Sequence, residues 1–256
     1  MARVAKKRLD QILVERGLAE SRTRAQALIM AGKVFTDNRR LDKAGQMLAE
    51  DQVLKVKGQE HPWVSRGGVK LVAGLSHFAI DPRGAVAIDV GASTGGFTDV
   101  LLTHGAARVY AVDVGHGQLA WKLRSDPRVA VLEKTNARLL GPEAVPELVD
   151  LVVCDASFIS LKLVLPAALA LTRPGANLIA LIKPQFEAGR EAVGKKGVVR
   201  DPAVHAAICA DIQTWLAAEM GWSVIGVTES PLRGPEGNIE FLIAGRRPAA
   251  GDGARL

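Results

Sequence analysis

The sequence predicts an α/β protein in two parts: a small α+β unit, then a doubly wound, mostly parallel sheet with an antiparallel last strand. Three observations predict it. From residue 67, apolar runs suited to buried parallel strands (VAIDV, RVYAVDV, VAVLEKT, LVVCD, LIALIKP) alternate with helical stretches. Two more strand-like runs, GWSVIGVTES and NIEFLIAG, close the series, joined by a Gly/Pro-rich connection rather than a helix. Finally, the charge is split. Residues 1–66 carry 14 Lys/Arg and 8 Asp/Glu, while residues 67–256 carry 19 of each. The whole net charge of +6 therefore lies in the first quarter, as expected of a separate module that meets a polyanion.

With 256 residues and 48% hydrophobic content the chain can bury a sizeable core. No apolar run reaches the length of a membrane span, and the basic start has no apolar stretch behind it, so no membrane partner and no secretory signal are expected. Cys154 and Cys209 give neither a disulfide framework nor metal-ligand spacing, so no metal is expected. A reducing cytoplasm fits this usage.

In the first unit, Leu9, Ile12, Leu13, Val14 and Leu18 form an apolar helical stripe that ends near Gly17. Ser21 is placed to cap a second helix with Ala25, Leu28 and Ile29 inward, and Gly32 stops it. Two short strands follow, KVFTD and QVLKVKG. Arg22, Arg24 and Lys33 surround the second helix and Arg39 and Arg40 occupy a turn, a workable phosphate-binding surface. Arg8 and Arg66 extend this set of RNA-binding cations. The stretch RLDQILVERGLAESRTRAQALIMAGKVFTDN resembles an S4-type RNA-binding domain, which implies binding to structured RNA. Residues 1–60 are assigned to it. Residues 61–66, with Pro62 and Trp63, read as a linker, residues 67–247 as the second domain, and 248–256 as a disordered tail.

Directly after VAIDV comes GASTGGFTDV. Gly91, Gly95 and Gly96 suit a tight strand-to-helix turn where backbone approaches a ligand. The spacing is neither G-x-G-x-x-G nor a phosphate P-loop, which disfavours NAD. Asp113, at the end of the next strand, can accept bonds from both ribose hydroxyls of a nucleoside cofactor. Asp89 can meet a cationic amino group or its bridging water. Together these residues resemble the S-adenosylmethionine site of Rossmann-like methyltransferases. The same resemblance implies cofactor contacts for Ser93 and Phe97 in the loop and places Asn136 beside the adenine.

Four charged residues stand where strands end or a helix begins: Lys70, Asp155, Lys183 and Glu240. A doubly wound sheet brings such positions to one rim. A ribose 2′-hydroxyl is a poor nucleophile, and neighbouring cations stabilise its developing alkoxide. Lys183 is read as the activating group, held by Asp155 and Glu240, with Lys70 assisting. The order Lys, Asp, Lys, Glu resembles the catalytic tetrad of FtsJ-type ribose 2′-O-methyltransferases. VSRGGVKL, DVGHGQLAWKLR, SFISLKLVLP, IKPQFEAGR and SPLRGPEGNIEF resemble the TlyA family, whose members carry the hemolysin name. That resemblance implies S-adenosylmethionine-dependent methylation of a ribosomal RNA cytidine, in the large and possibly the small ribosomal subunit.

Rival readings differ in chemistry. A thiolate of Cys154 could attack a cytosine, but strand alternation turns it away from the side Asp155 faces. Trp121 either stacks on a base or packs on the sheet. The glycine-rich loop with Arg190, Lys195, Lys196 and Arg200 either closes over RNA or is simply exposed. The chain as a whole could be an inactive RNA-binding assembly factor or a membrane-active hemolysin.

Overall fold

The structure, a computed structural model, describes residues 6–19, 21–37, 39–57, 61–194, 197–234 and 237–249. Lys195, Lys196 and residues 250–256 of the expected tail lie outside the described residues.

The first unit opens with β1 (Lys6–Arg8), α1 (Leu9–Glu15) and α2 (Arg22–Met30), followed by β2 (Val34–Thr36), β3 (Arg39–Arg40), β4 (Met47–Ala49) and β5 (Lys55–Val56). β1 pairs with β4, and β2 lies between β3 and β5, all antiparallel. Ser21 caps α2 as expected: its Oγ accepts the Arg24 amide at 3.1 Å, a cap worth about 1 kcal/mol. Leu9, Ile12, Leu13, Ala25, Ile29 and Val34 close a separate small core.

The second part runs α3 (Gly67–His77), β6 (Val86–Val90), α4 (Gly96–Thr103), β7 (Arg108–Val112), α5 (Trp121–Arg124), β8 (Val129–Leu132), β9 (Val149–Cys154), α6 (Leu161–Val164), α7 (Pro166–Ala170), β10 (Thr172–Ile182), α8 (Pro184–Glu187), α9 (Pro202–Ala218), β11 (Ser223–Glu229) and β12 (Phe241–Arg246). The sheet order is β11-β12-β10-β9-β6-β7-β8. β12 lies antiparallel between β10 and β11, and the remaining pairs are parallel. Apolar cores cover both faces, which is why the strands read as unbroken apolar runs. The chain reverses its winding at β6, whose neighbours are β7 on one side and β9 on the other. Such a switch point opens a crevice at the carboxyl ends of the strands.

The two parts meet at Gly17, where φ is +66°. A Cβ there would stand 2.9 Å from Val64 Cβ and 3.0 Å from Ala120 Cβ, so only glycine lets the first unit close on both. The connecting segment is pinned: the Val64 amide donates to the buried Asp99 carboxylate at 2.9 Å, and Lys122 reaches the same carboxylate. No helix among the described residues is long and apolar enough to cross a membrane.

Candidate active site

The crevice holds a cavity of about 240 Å³ lined by Lys70, Asp89, Asp155, Lys183 and Glu240 together with the loop 91–94, Gly96 and Phe97. All four tetrad residues expected from sequence meet here, although Lys70 and Glu240 lie 170 positions apart. Lys70 enters from α3, Asp155 follows β9, Lys183 follows β10 and Glu240 precedes β12.

Their pairing differs from the sequence expectation in one respect. Glu240 does not hold Lys183. Its Oε2 accepts from Lys70 Nζ at 2.6 Å, because α3 carries Lys70 across the mouth of the sheet to meet it. Lys183 is held by Asp155 alone among the acids, with Nζ 2.6 Å from Oδ1. Its directed hydrogen bonds go to the Asp155 carbonyl and to Ser157 Oγ, both at 2.9 Å. Asp155 Oδ2 lies 3.9 Å from Lys70 Nζ. The result is an alternating row, Glu240–Lys70–Asp155–Lys183, with an acid at one end and an ammonium at the other. Lys70, Lys183 and Glu240 are buried. Buried charges persist only when paired in this way.

Asp89, near the end of β6, lines the same cavity. It is fully buried, and its Oδ2 accepts from the Thr98 amide at 2.9 Å and the Thr98 hydroxyl at 2.7 Å. Its Oδ1 has no partner. Burial pushes the carboxyl up to about 7, against the opposing pull of the two Thr98 bonds. An orphaned carboxylate oxygen in a cavity wall fits a cationic amino group.

Asp113 and Asn136 do not line this cavity. Asp113 instead braces the loop: Oδ2 accepts the Ser93 amide at 2.8 Å and Oδ1 the Gly115 amide at 2.6 Å. Each oxygen keeps a lone pair for a ribose hydroxyl. Asn136 is exposed and caps a short 3₁₀ turn through Arg138. Gly95 lies beneath the loop with φ +92°, and a Cβ there would stand 2.3 Å from Leu123 Cδ1. Cys154 is buried and its thiol is pushed up to about 12 by burial, so no thiolate is available for attack on a base.

Sequence reasoning missed three residues at this site. Ser65 lines the cavity, Ser157 accepts from Lys183, and Phe158 stands beside it. Phe158 is 89% exposed with φ +66°, a conformation costly for an aromatic residue, and its ring lies 5.0 Å from that of Phe186. The signal for the two later ones was the string SFISLKLVLP, which carries the family resemblance without singling out either residue. Trp121, expected either to stack on a base or to pack on the sheet, is 64% exposed in a cleft between the two parts.

Among the RNA-binding cations, Arg8 and Arg22 both reach the buried Asp10, at 2.9 and 3.1 Å. The Arg8 guanidinium holds that carboxyl far below the usual carboxylate range, aided by Gln26 and Arg22. These two arginines therefore also brace the fold. Arg24, Lys33, Arg39, Arg40 and Arg66 are exposed.

A family model for FtsJ-like methyltransferases matches residues 63–247, and one for the S4 domain matches residues 7–54. The chain is 52% identical over 244 residues to the 16S/23S rRNA (cytidine-2′-O)-methyltransferase TlyA of Mycobacterium tuberculosis, covering 95% of this chain and 90% of that protein. It is 39% identical over 236 residues to Hemolysin A of Brachyspira hyodysenteriae, covering 92% and 98%. A solved structure from Streptococcus thermophilus that carries the hemolysin name superposes with a TM-score of 0.73 at 42% identity, covering 98% of this chain and 93% of that one. With both domains matched and near-complete coverage at this identity, the chain belongs to the TlyA family of S-adenosylmethionine-dependent, FtsJ-like methyltransferases with an N-terminal S4 domain.

Proposed function

We propose that the chain methylates the ribose 2′-oxygen of a cytidine in ribosomal RNA, as the name of its Mycobacterium tuberculosis relative suggests. The observation that carries this is the cavity itself, whose wall holds both an unpartnered carboxylate oxygen and two buried ammonium groups. S-adenosylmethionine, when bound, supplies an electrophilic methyl group. Asp89 Oδ1 receives its amino group, and Asp113, through the lone pairs left after bracing Ser93 and Gly115, receives its ribose hydroxyls. Gly91, Ser93, Gly96 and Phe97 form the wall, Gly95 lets the loop turn, and Asn136 borders the adenine.

Lys183 Nζ meets the charge that develops on the attacking 2′-oxygen. Its three contacts to Asp155 and Ser157 fix its position before substrate arrives, so no reorganisation is needed at the moment of reaction. Lys70, fixed by Glu240, adds a second positive charge and orients the ribose. The proton released from the hydroxyl enters the tetrad. Phe158 offers a flat face for the nucleobase of the target nucleotide, since single-stranded bases are read by stacking on aromatic side chains.

Residues 1–60 form the RNA-docking domain, 61–66 the connector and 67–247 the catalytic domain. The substrate is free ribosomal RNA or a ribosomal subunit, met in the cytoplasm. The test is tritium transfer from labelled S-adenosylmethionine to rRNA of cells lacking the protein, with the modified ribose mapped afterwards. RNA binding without transfer would replace this reading with that of an inactive assembly factor.

A further inference from the structure

A second cavity, larger than the catalytic one at about 620 Å³, runs along the seam between the S4 domain and the catalytic domain. Arg24 and Lys33 stand on its S4 wall, and His61 and Arg66 on its catalytic wall. Among the described residues, no aspartate or glutamate lines it. Neither Arg24 nor Lys33 forms an ion pair with a described residue, in contrast to Arg8 and Arg22, which Asp10 engages. Apolar side chains share the lining, among them Leu28 from one domain and Val69 from the other. His61 Nδ1 is buried without a partner. Ser65 and Arg66 line both this groove and the catalytic cavity, so the two adjoin.

Cations contributed from both sides of the seam beside apolar side chains are the features of a site for single-stranded nucleic acid, with phosphates on the cations and base faces on the apolar groups. Pockets of about 300–1,000 Å³ enclose a ligand of drug size, which corresponds to one or two nucleotides. A double helix is read instead across broad surfaces by its shape. We propose that the groove holds an unpaired segment of the RNA substrate adjoining the target nucleotide, threaded from the S4 domain into the catalytic cavity. Phosphates rest on Arg24, Lys33 and Arg66, and bases on Leu28 and Val69. This rests on the RNA methylation reading and adds that the nucleotides next to the target must be unpaired.

The probe is a single-stranded ten-nucleotide RNA carrying one central 4-thiouridine, cross-linked by light to the full chain and mapped by mass spectrometry. Cross-links should fall on peptides of both walls, residues 24–33 and 61–69. Affinity for the same strand should fall at least tenfold in Val69→Glu and in Leu28→Glu, while S-adenosylmethionine affinity is unchanged. The exposed substitutions Arg24→Gln and Lys33→Gln, which leave the fold intact, should each lower the slope of log affinity against log salt by roughly one contact. Cross-links confined to the Arg39–Arg40 hairpin, or salt slopes unchanged in both glutamine variants, would overturn the proposal. If rRNA accepts tritium yet the cross-links miss the groove, only this inference falls. If no rRNA accepts tritium, the methylation reading falls first.

Discussion

Lowering the pH from 8 to 6 should weaken S-adenosylmethionine binding by about an order of magnitude through Asp89. The free carboxyl titrates near 7 because it is fully buried. A cofactor ammonium selects the ionised form, so binding should release a proton. If only the carboxylate binds, the apparent dissociation constant carries a factor of one plus the ratio of protonated to ionised Asp89. That factor is about 11 at pH 6, about 2 at pH 7 and about 1.1 at pH 8, taking 7 as the titration point. An α-amino group begins to lose its own proton near pH 8, so the useful window is pH 5.5 to 7.5. Calorimetry in two buffers of different ionisation enthalpy reads affinity and proton release together. In Asp89→Asn the pH slope should vanish, and affinity at pH 7.5 should drop about tenfold or more with the loss of a charge-assisted bond. Thr98→Val removes the hydroxyl bond to Oδ2 at 2.7 Å that favours the ionised form, so its inflection should move above 7. Affinity that is flat from pH 5.5 to 7.5, or a slope that survives in Asp89→Asn, would refute the assignment of this oxygen to the amino group.

Three other outcomes are expected. Lys183→Met should slow single-turnover methyl transfer by about a hundred- to a thousand-fold with cofactor affinity nearly unchanged, since one preorganised charge is lost; a wild-type rate would remove Lys183 from the chemistry. Phe158→Ala should raise the KM for RNA and leave the melting temperature nearly unchanged, because the ring is 89% exposed and alanine keeps the same Cβ at φ +66°; a loss of stability would instead make Phe158 a packing residue. Asp10→Asn should lower the stability of the S4 domain by about 1–3 kcal/mol, as Arg8, Arg22 and Gln26 all donate to its carboxylate, and limited proteolysis within residues 7–54 should show it.

How much of this was legible follows from which forces are local. Buried parallel strands read as apolar runs, so Asp89, Asp155 and Lys183 could be placed at the rim from the point where each run ends. The Ser21 cap and the Gly32 stop were equally local, and the structure has both. β1 and β4 were not expected, because three-residue strands carry no periodicity to read. The partner of Glu240 was misjudged because it depends on how far Lys70 reaches from α3 across the sheet, a matter of helix docking. Phe158 lies in the apolar-looking string SFIS, and only its left-handed backbone turns the ring outward. The groove could not be foreseen, since each wall belongs to a different domain.

The uneven charge of the chain follows from the same chemistry. Glu240, Lys70, Asp155 and Lys183 are two acids and two bases, so the tetrad stabilises an emerging negative charge while remaining neutral at rest. A neutral tetrad costs less to bury than unpaired lysines would, but it gives a polyanion no long-range attraction. The catalytic part, with 19 charges of each sign, supplies none either. Attraction to phosphates must therefore come from the first 66 residues, whose excess of six positive charges ends at Arg66 on the lip of the catalytic cavity. Steering and chemistry are thus assigned to different residues. This is why charge reversal at Arg24 or Lys33 should act on KM and its salt dependence, whereas loss of Lys183 should act on the rate of the bound complex.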